Sequence, residues 1–94
     1  MFNNKRYLSR GVCDTIPIEL QLFMWSCIDH LPEESDYLQV FDLEKVGCMQ
    51  SITHRAEQPE HHKEYLLTSE KPIIEKIYVI DDSDHSTMIL ASEY

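Results

Sequence analysis

Five histidines, three cysteines and seventeen acidic side chains are the groups in this 94-residue chain with the most chemistry to offer. A zinc site needs three or four ligands converging on one point. His61 and His62 are adjacent, so on a strand they point to opposite faces, and His54 and His85 stand alone. This spacing reads as histidines in exposed loops, with no metal assigned. Asp82-Ser83-Asp84-His85-Ser86 sets oxygen side chains at positions one, three and five of a calcium loop, with Glu93 at position twelve. Thr87 stands where that loop requires glycine. The Met88-Ile89-Leu90 run beyond it has the look of an extended strand, so the segment is expected to be a hairpin turn built on local Asp and Ser hydrogen bonds. Paired carboxylates for acid–base work need different environments in one pocket, and seventeen acids offer no ranking. There is no G-x-S-x-G nucleophile elbow, and two glycines leave no room for a phosphate loop. No catalytic residue and no cofactor is assigned.

The cysteines, Cys13, Cys27 and Cys48, are odd in number and contain no C-x-x-C. Neither a zinc knuckle nor a redox pair is indicated. The opening MFNNKRYLSRG lacks the apolar core of a signal peptide. A reduced, cytoplasmic protein is the expectation, with structural roles for all three thiols. No apolar run approaches the roughly 20 residues of a membrane span.

Charge is unevenly spread. The chain carries −9 overall. Residues 1–13 hold Lys5, Arg6 and Arg10 and no acid, which leaves −12 on residues 14–94. Nucleic-acid binding needs clustered Lys and Arg, so it is not expected of this body. Acidity serves solubility, and it also fits a partner with a basic face.

Ninety-four residues make one domain, residues 1–94. Arg6–Val12 reads as a short strand. Pro17 suits the first turn of a helix, Glu19 suits the helix dipole, and Pro32 stops the chain from continuing, so a helix is expected from Pro17 to Leu31. Strands are expected at Tyr37–Lys45, Cys48–Arg55, Lys63–Thr68, Glu75–Ile80 and Ser86–Ala91, with breaks at Pro32–Asp36, Glu57–His62, Ser69–Pro72 and Asp81–His85. The order β-α-β-β-β-β-β predicts an α+β fold: one helix packed on a curled antiparallel sheet of about five or six strands.

The helix is the informative element. Leu20, Phe23, Met24, Cys27, Ile28 and Leu31 form one wide apolar stripe, and Glu19, Ser26 and His30 lie opposite it. Ile18, Leu22 and Trp25 fall on a flank of their own. One sheet face covers the stripe. The flank then needs either a wrapping edge or loop, or another chain.

Four blocks carry a resemblance: Arg6–Val12 with Ile16–Trp25, Asp36–Phe41, Gln58–Glu60 with Lys63–Tyr65, and Ile77–Asp82 with Thr87, Met88, Glu93 and Tyr94. Together they resemble the small family of unknown function 960 of low-GC Gram-positive bacteria and their phages, over nearly the whole chain. The resemblance implies a free-standing cytoplasmic protein, carried by a phage or another mobile element. It brings no catalytic residue with it.

The function expected is a non-enzymatic interaction module, binding a protein partner or a second copy through Ile18, Leu22 and Trp25. Two alternatives stand beside it. One is an acidic decoy for a nucleic-acid-binding protein. The other is a small hydrolase or metal-dependent enzyme using His54, His61, His62 or His85.

Overall fold

The computed structural model describes residues 1–94. Strand β1 (Lys5–Leu8) leads into helix α1 (Arg10–Thr15) and helix α2 (Ile18–Asp29). Strands β2 (Leu38–Val46), β3 (Met49–Glu57), β4 (Glu60–Thr68), β5 (Glu75–Asp81) and β6 (His85–Leu90) follow, and a 3-10 turn, Ala91–Glu93, ends the chain. The fold is α+β. No helix is long and apolar enough to cross a membrane.

The six strands form one sheet in the order β1-β6-β5-β2-β3-β4. Four of the pairings are antiparallel, as expected. The fifth corrects the expectation: β1 lies parallel to β6, so the sheet is mixed. A parallel neighbour needs a long crossover, and here the chain between β1 and β6 spans both helices and four strands.

The segment expected to continue as a strand to Val12 instead turns helical after Leu8. Ser9 caps α1, its Oγ accepting from the Val12 N–H at 3.2 Å. The far end of the chain reinforces the cap. Glu93 accepts from Ser9 Oγ at 2.6 Å, from the Gly11 N–H at 3.0 Å and from the Leu90 N–H at 3.0 Å. These bonds, with Ser9 first, hold its carboxyl below the ordinary glutamate value. A carboxylate at exposed helix N–H groups is favourable for both hydrogen bonding and dipole.

Helix α2 matches the expected span to within two residues, with Pro17 just outside it and accepting from the Leu20 and Gln21 N–H groups. Two-residue turns join β2 to β3 at Gly47-Cys48 and β3 to β4 at Gln58-Pro59. Gly47 has φ +60, a value glycine adopts without strain. The expected break at 57–62 is therefore only a tight turn. β4 begins at Glu60 because it pairs with β3 along its whole length.

The sheet curls around α2. Arg6 of β1 lies over the Trp25 ring at 4.7 Å on one side of the helix. Tyr65 of β4 meets Phe23 edge-on at 5.0 Å on the other. Leu20, Met24 and Ile28 point into the hollow against Phe41, Leu43, Ile52, Ile77, Val79, Met88 and Leu90. Phe2, Val12 and Ile16 close that core. Each fully buried aliphatic side chain contributes about 1.5–3 kcal/mol.

The terminal clasp makes a test. A Cβ on Gly11 would sit 2.6 Å from the Glu93 carboxyl, so Gly11→Ala should evict that carboxylate and lower the melting temperature. In a Glu93→Ala background the same change should be neutral or stabilising, because alanine is the better helix former by roughly 0.5–1 kcal/mol. Thermal melts of the four proteins check the change of sign.

Candidate functional site

The expected binding flank is split. Ile18 and Leu22 stand 58% and 62% exposed. Trp25 is half-buried and packs against the core. The Arg6 guanidinium covers the indole and is also bonded to Asp29, one helical turn further on. So β1 wraps the C-terminal part of the flank and leaves its N-terminal part open. The exposed surface continues onto Leu8 of β1, which is 37% exposed, while Tyr7 lies on the opposite face of the strand beside His85. A shallow groove beside Leu8 is walled by Asp14, Ile16, Pro17, Ile18 and Gln21. Helical spacing had signalled Ile18, Leu22 and Trp25. The β1 residues carried no such signal, since a four-residue strand shows little pattern.

Gln21 sits between stripe and flank and is buried, which the apolar pattern did not anticipate. Its amide donates to the Ile16 carbonyl at 2.8 Å, supplying a partner where the chain turns between the helices. Buried polar groups of this kind are retained when they are satisfied.

The histidines disperse. His54, expected in an exposed loop, is 1% exposed on the concave face of β3. The alternation of β3 points it inward with Ile52 and Ala56. Its ring stacks on Phe41 at 4.3 Å and meets His61 at 4.4 Å. Its Nε2 lies 2.7 Å from Gln39 Oε1, and Gln39 in turn donates to the Asp36 carbonyl at 2.8 Å. That second bond fixes the amide, so Oε1 must accept and His54 Nε2 must carry the proton. His54 Nδ1 is then a bare acceptor without a protein partner; His61 Nε2 also lacks a hydrogen-bond partner. His62 faces the other way, 3.0 Å from Glu64. His85 lies across the sheet beside Asp82 and Tyr7. No group of three or more His, Cys, Asp or Glu is placed to hold a metal ion.

The turn before His85 forms as expected, with Asp81 accepting from the Ser83 N–H at 2.8 Å. Asp81 also takes the Phe2 N–H at 2.8 Å and the Asn4 amide at 2.9 Å, tying the start of the chain to this turn. All three cysteines are free; Cys27 is half-buried, while Cys13 and Cys48 are exposed.

A cleft of about 440 Å³ lies between Asp36–Val40 and the tip of the β3–β4 hairpin. Two of its charged groups, Arg55 and Asp36, already serve the fold. Arg55 is bonded to Asp42 at 2.7 Å, and Asp36 accepts from the Leu38 and Gln58 N–H groups. The His54–His61 pair has no acid partner and His54 has no open face. The arrangement supports proton-linked stability better than attack on a substrate.

Burial first, and then His61 and Lys63, push the His54 imidazolium from 6.5 down to about 4. A lowered folded value means that its stabilisation is complete above pH 6.5 and is lost as pH falls from 6.5 towards 4. At 1.36 kcal/mol per unit the loss reaches about 2 kcal/mol by pH 5. His54→Phe keeps a ring on Phe41 and cannot titrate. Urea unfolding at pH 7 and pH 5 should show the variant losing about 2 kcal/mol less than wild type over that interval. Equal losses would contradict the assignment.

A family model described as a Staphylococcal protein of unknown function (DUF960) matches residues 5–93. The crystal structure of a protein of unknown function from Enterococcus faecalis has a TM-score of 0.79 to this chain. It is 24% identical, and the match covers 98% of this chain and 92% of that one. At that identity the likeness establishes the shared fold. No curated protein matches. The family match takes in both helices and all six strands, so the chain belongs to the family of Staphylococcal proteins of unknown function that its sequence resembles.

Proposed function

We propose that this protein is a non-enzymatic interaction module that docks another protein surface through the open end of α2. The observation that carries the reading is the exposure of Ile18 and Leu22, at 58% and 62%, on a helix whose opposite stripe already fills the core. Side chains of this size, contiguous with Leu8, form a patch of the kind that marks protein-binding sites. Trp25 lies at its border, already held by Arg6, and ordered aromatic side chains of that sort are common interface anchors. Cys13, Cys27 and Cys48 are unpaired, which fits work in the reducing cytoplasm.

The test separates binding from folding. Leu22 is exposed, so Leu22→Asp should change unfolding free energy by no more than about 0.5 kcal/mol. Met24, one turn-face away and fully buried, should lose about 2–5 kcal/mol on change to Ala. Sedimentation velocity of the wild type and Leu22→Asp should show association lost in the variant. If Leu22→Asp unfolds the protein, the flank is part of the core and the reading fails.

A further inference from the structure

Building on that docking surface, we infer that its occupant is a second copy of this chain, joined edge to edge through β1. Strand β1 is the end of the sheet, with β6 on one side and nothing on the other. The Leu8↔Met88 register and the bond from the Ser9 N–H to the Met88 carbonyl set the alternation. In a parallel pair, N–H and C=O of one residue point the same way and alternate along the strand. Lys5, Tyr7 and Ser9 therefore address β6. Arg6 and Leu8 direct their N–H and C=O groups outward from the sheet. An edge of this kind is a template for another strand.

One antiparallel register satisfies all these groups at once. With Arg6 opposite Leu8 and Tyr7 on a two-fold axis, each copy gives and receives two backbone bonds. The pairing is isologous, as a two-fold interface must be. Side chains of an added strand that share a face with Arg6 and Leu8 project to the α2 side, because alternate residues line one face. The strand edge and the exposed Ile18/Leu22 flank lie on the same side of the molecule, and Arg6, which reaches Trp25 and Asp29, joins them. A single two-fold operation covers both.

Charge favours a second copy here over any other face. The chain carries −9, and residues 1–13 contain no acid. Lys5, Arg6 and Arg10, set against Asp14, Asp29 and Glu93, leave this strip close to neutral. Approach through the remaining surface brings carboxylates against carboxylates. In this register each Arg6 stays bonded to its own Asp29, so its charge is already neutralised when the two copies meet.

Sedimentation equilibrium of the full chain should give twice the 11.1 kDa monomer mass. Leu8→Pro removes the outward N–H and leaves the β1–β6 ladder intact, since an edge proline is tolerated where its nitrogen faces solvent. It deletes two of the four intermolecular bonds, so the dissociation constant should rise about a hundredfold. Leu8→Ala keeps the N–H and should stay far closer to wild type. Tyr7→Cys, in a Cys13→Ser, Cys48→Ser background, gives a second readout. Opposed residues that do not share hydrogen bonds lie about 4.5 Å apart at Cα, within disulfide reach, so mild oxidation should cross-link the two copies. A wild type that is monomeric at millimolar concentration overturns the proposal. A dimer broken by Leu22→Asp, unaffected by Leu8→Pro and not cross-linked at position 7 also overturns it, while leaving the docking flank in place. A dimer indifferent to both Leu8→Pro and Leu22→Asp overturns both readings.

Discussion

Burial of one helix inside one curved sheet is the constraint on which this molecule is built. A twelve-residue helix in water is marginal by itself. Helix α2 is held because Leu20, Met24 and Ile28 enter a hollow lined by β2, β3, β5 and β6. Curling the sheet lets its two outermost strands reach the helix as well. β4 brings Tyr65 to Phe23, and β1 brings Arg6 to Trp25 and Asp29. A flat six-stranded sheet would leave those edge strands too far away to touch the same helix. The open strip on α2 is what remains when the two edges do not meet.

The interior is not purely apolar, and its polar members fix loops to the sheet. The two N–H groups of the Gln50 amide are shared among the carbonyls of Glu44, Ser51 and Ile73, and its oxygen accepts from the Ile73 N–H at 2.8 Å, holding the segment before β5. Gln39 holds Asp36 through its amide and His54 through its oxygen. Gln21 holds the joint between α1 and α2. Unpaired, each would cost about 1–3 kcal/mol in desolvation. Paired, each restricts a segment without regular structure to one path. The most buried histidine belongs to this bracing system, which accounts for its lack of an open face.

The two ends of the chain also serve the fold. Asp81 takes the Phe2 N–H and the Asn4 amide, while Glu93 takes Ser9 and Gly11. Burial of Phe2 in the core accompanies the first of these. Together they seat β1 beside β6 and decide that the sheet ends in a basic strand on an acidic protein.

Periodicity and composition alone determined an α+β fold, the span of α2 to within two residues, its buried stripe and the hairpin turns. Those features rest on interactions between residues near in sequence: apolar side chains every three or four positions, alternation by two, Gly47 at a turn, prolines at a boundary. They also marked Ile18 and Leu22 as surplus, because a helix has more apolar surface than one sheet face covers. Only the tertiary structure decided that Arg10–Thr15 is helical, since its N-terminus is stabilised by Glu93, more than 80 residues away. Only the tertiary structure made β1 parallel to β6, buried His54 and Gln50, and placed Arg6 on Trp25. Each of these depends on a partner distant in sequence, whose position is set by how far the sheet curls, and no local pattern encodes that curvature.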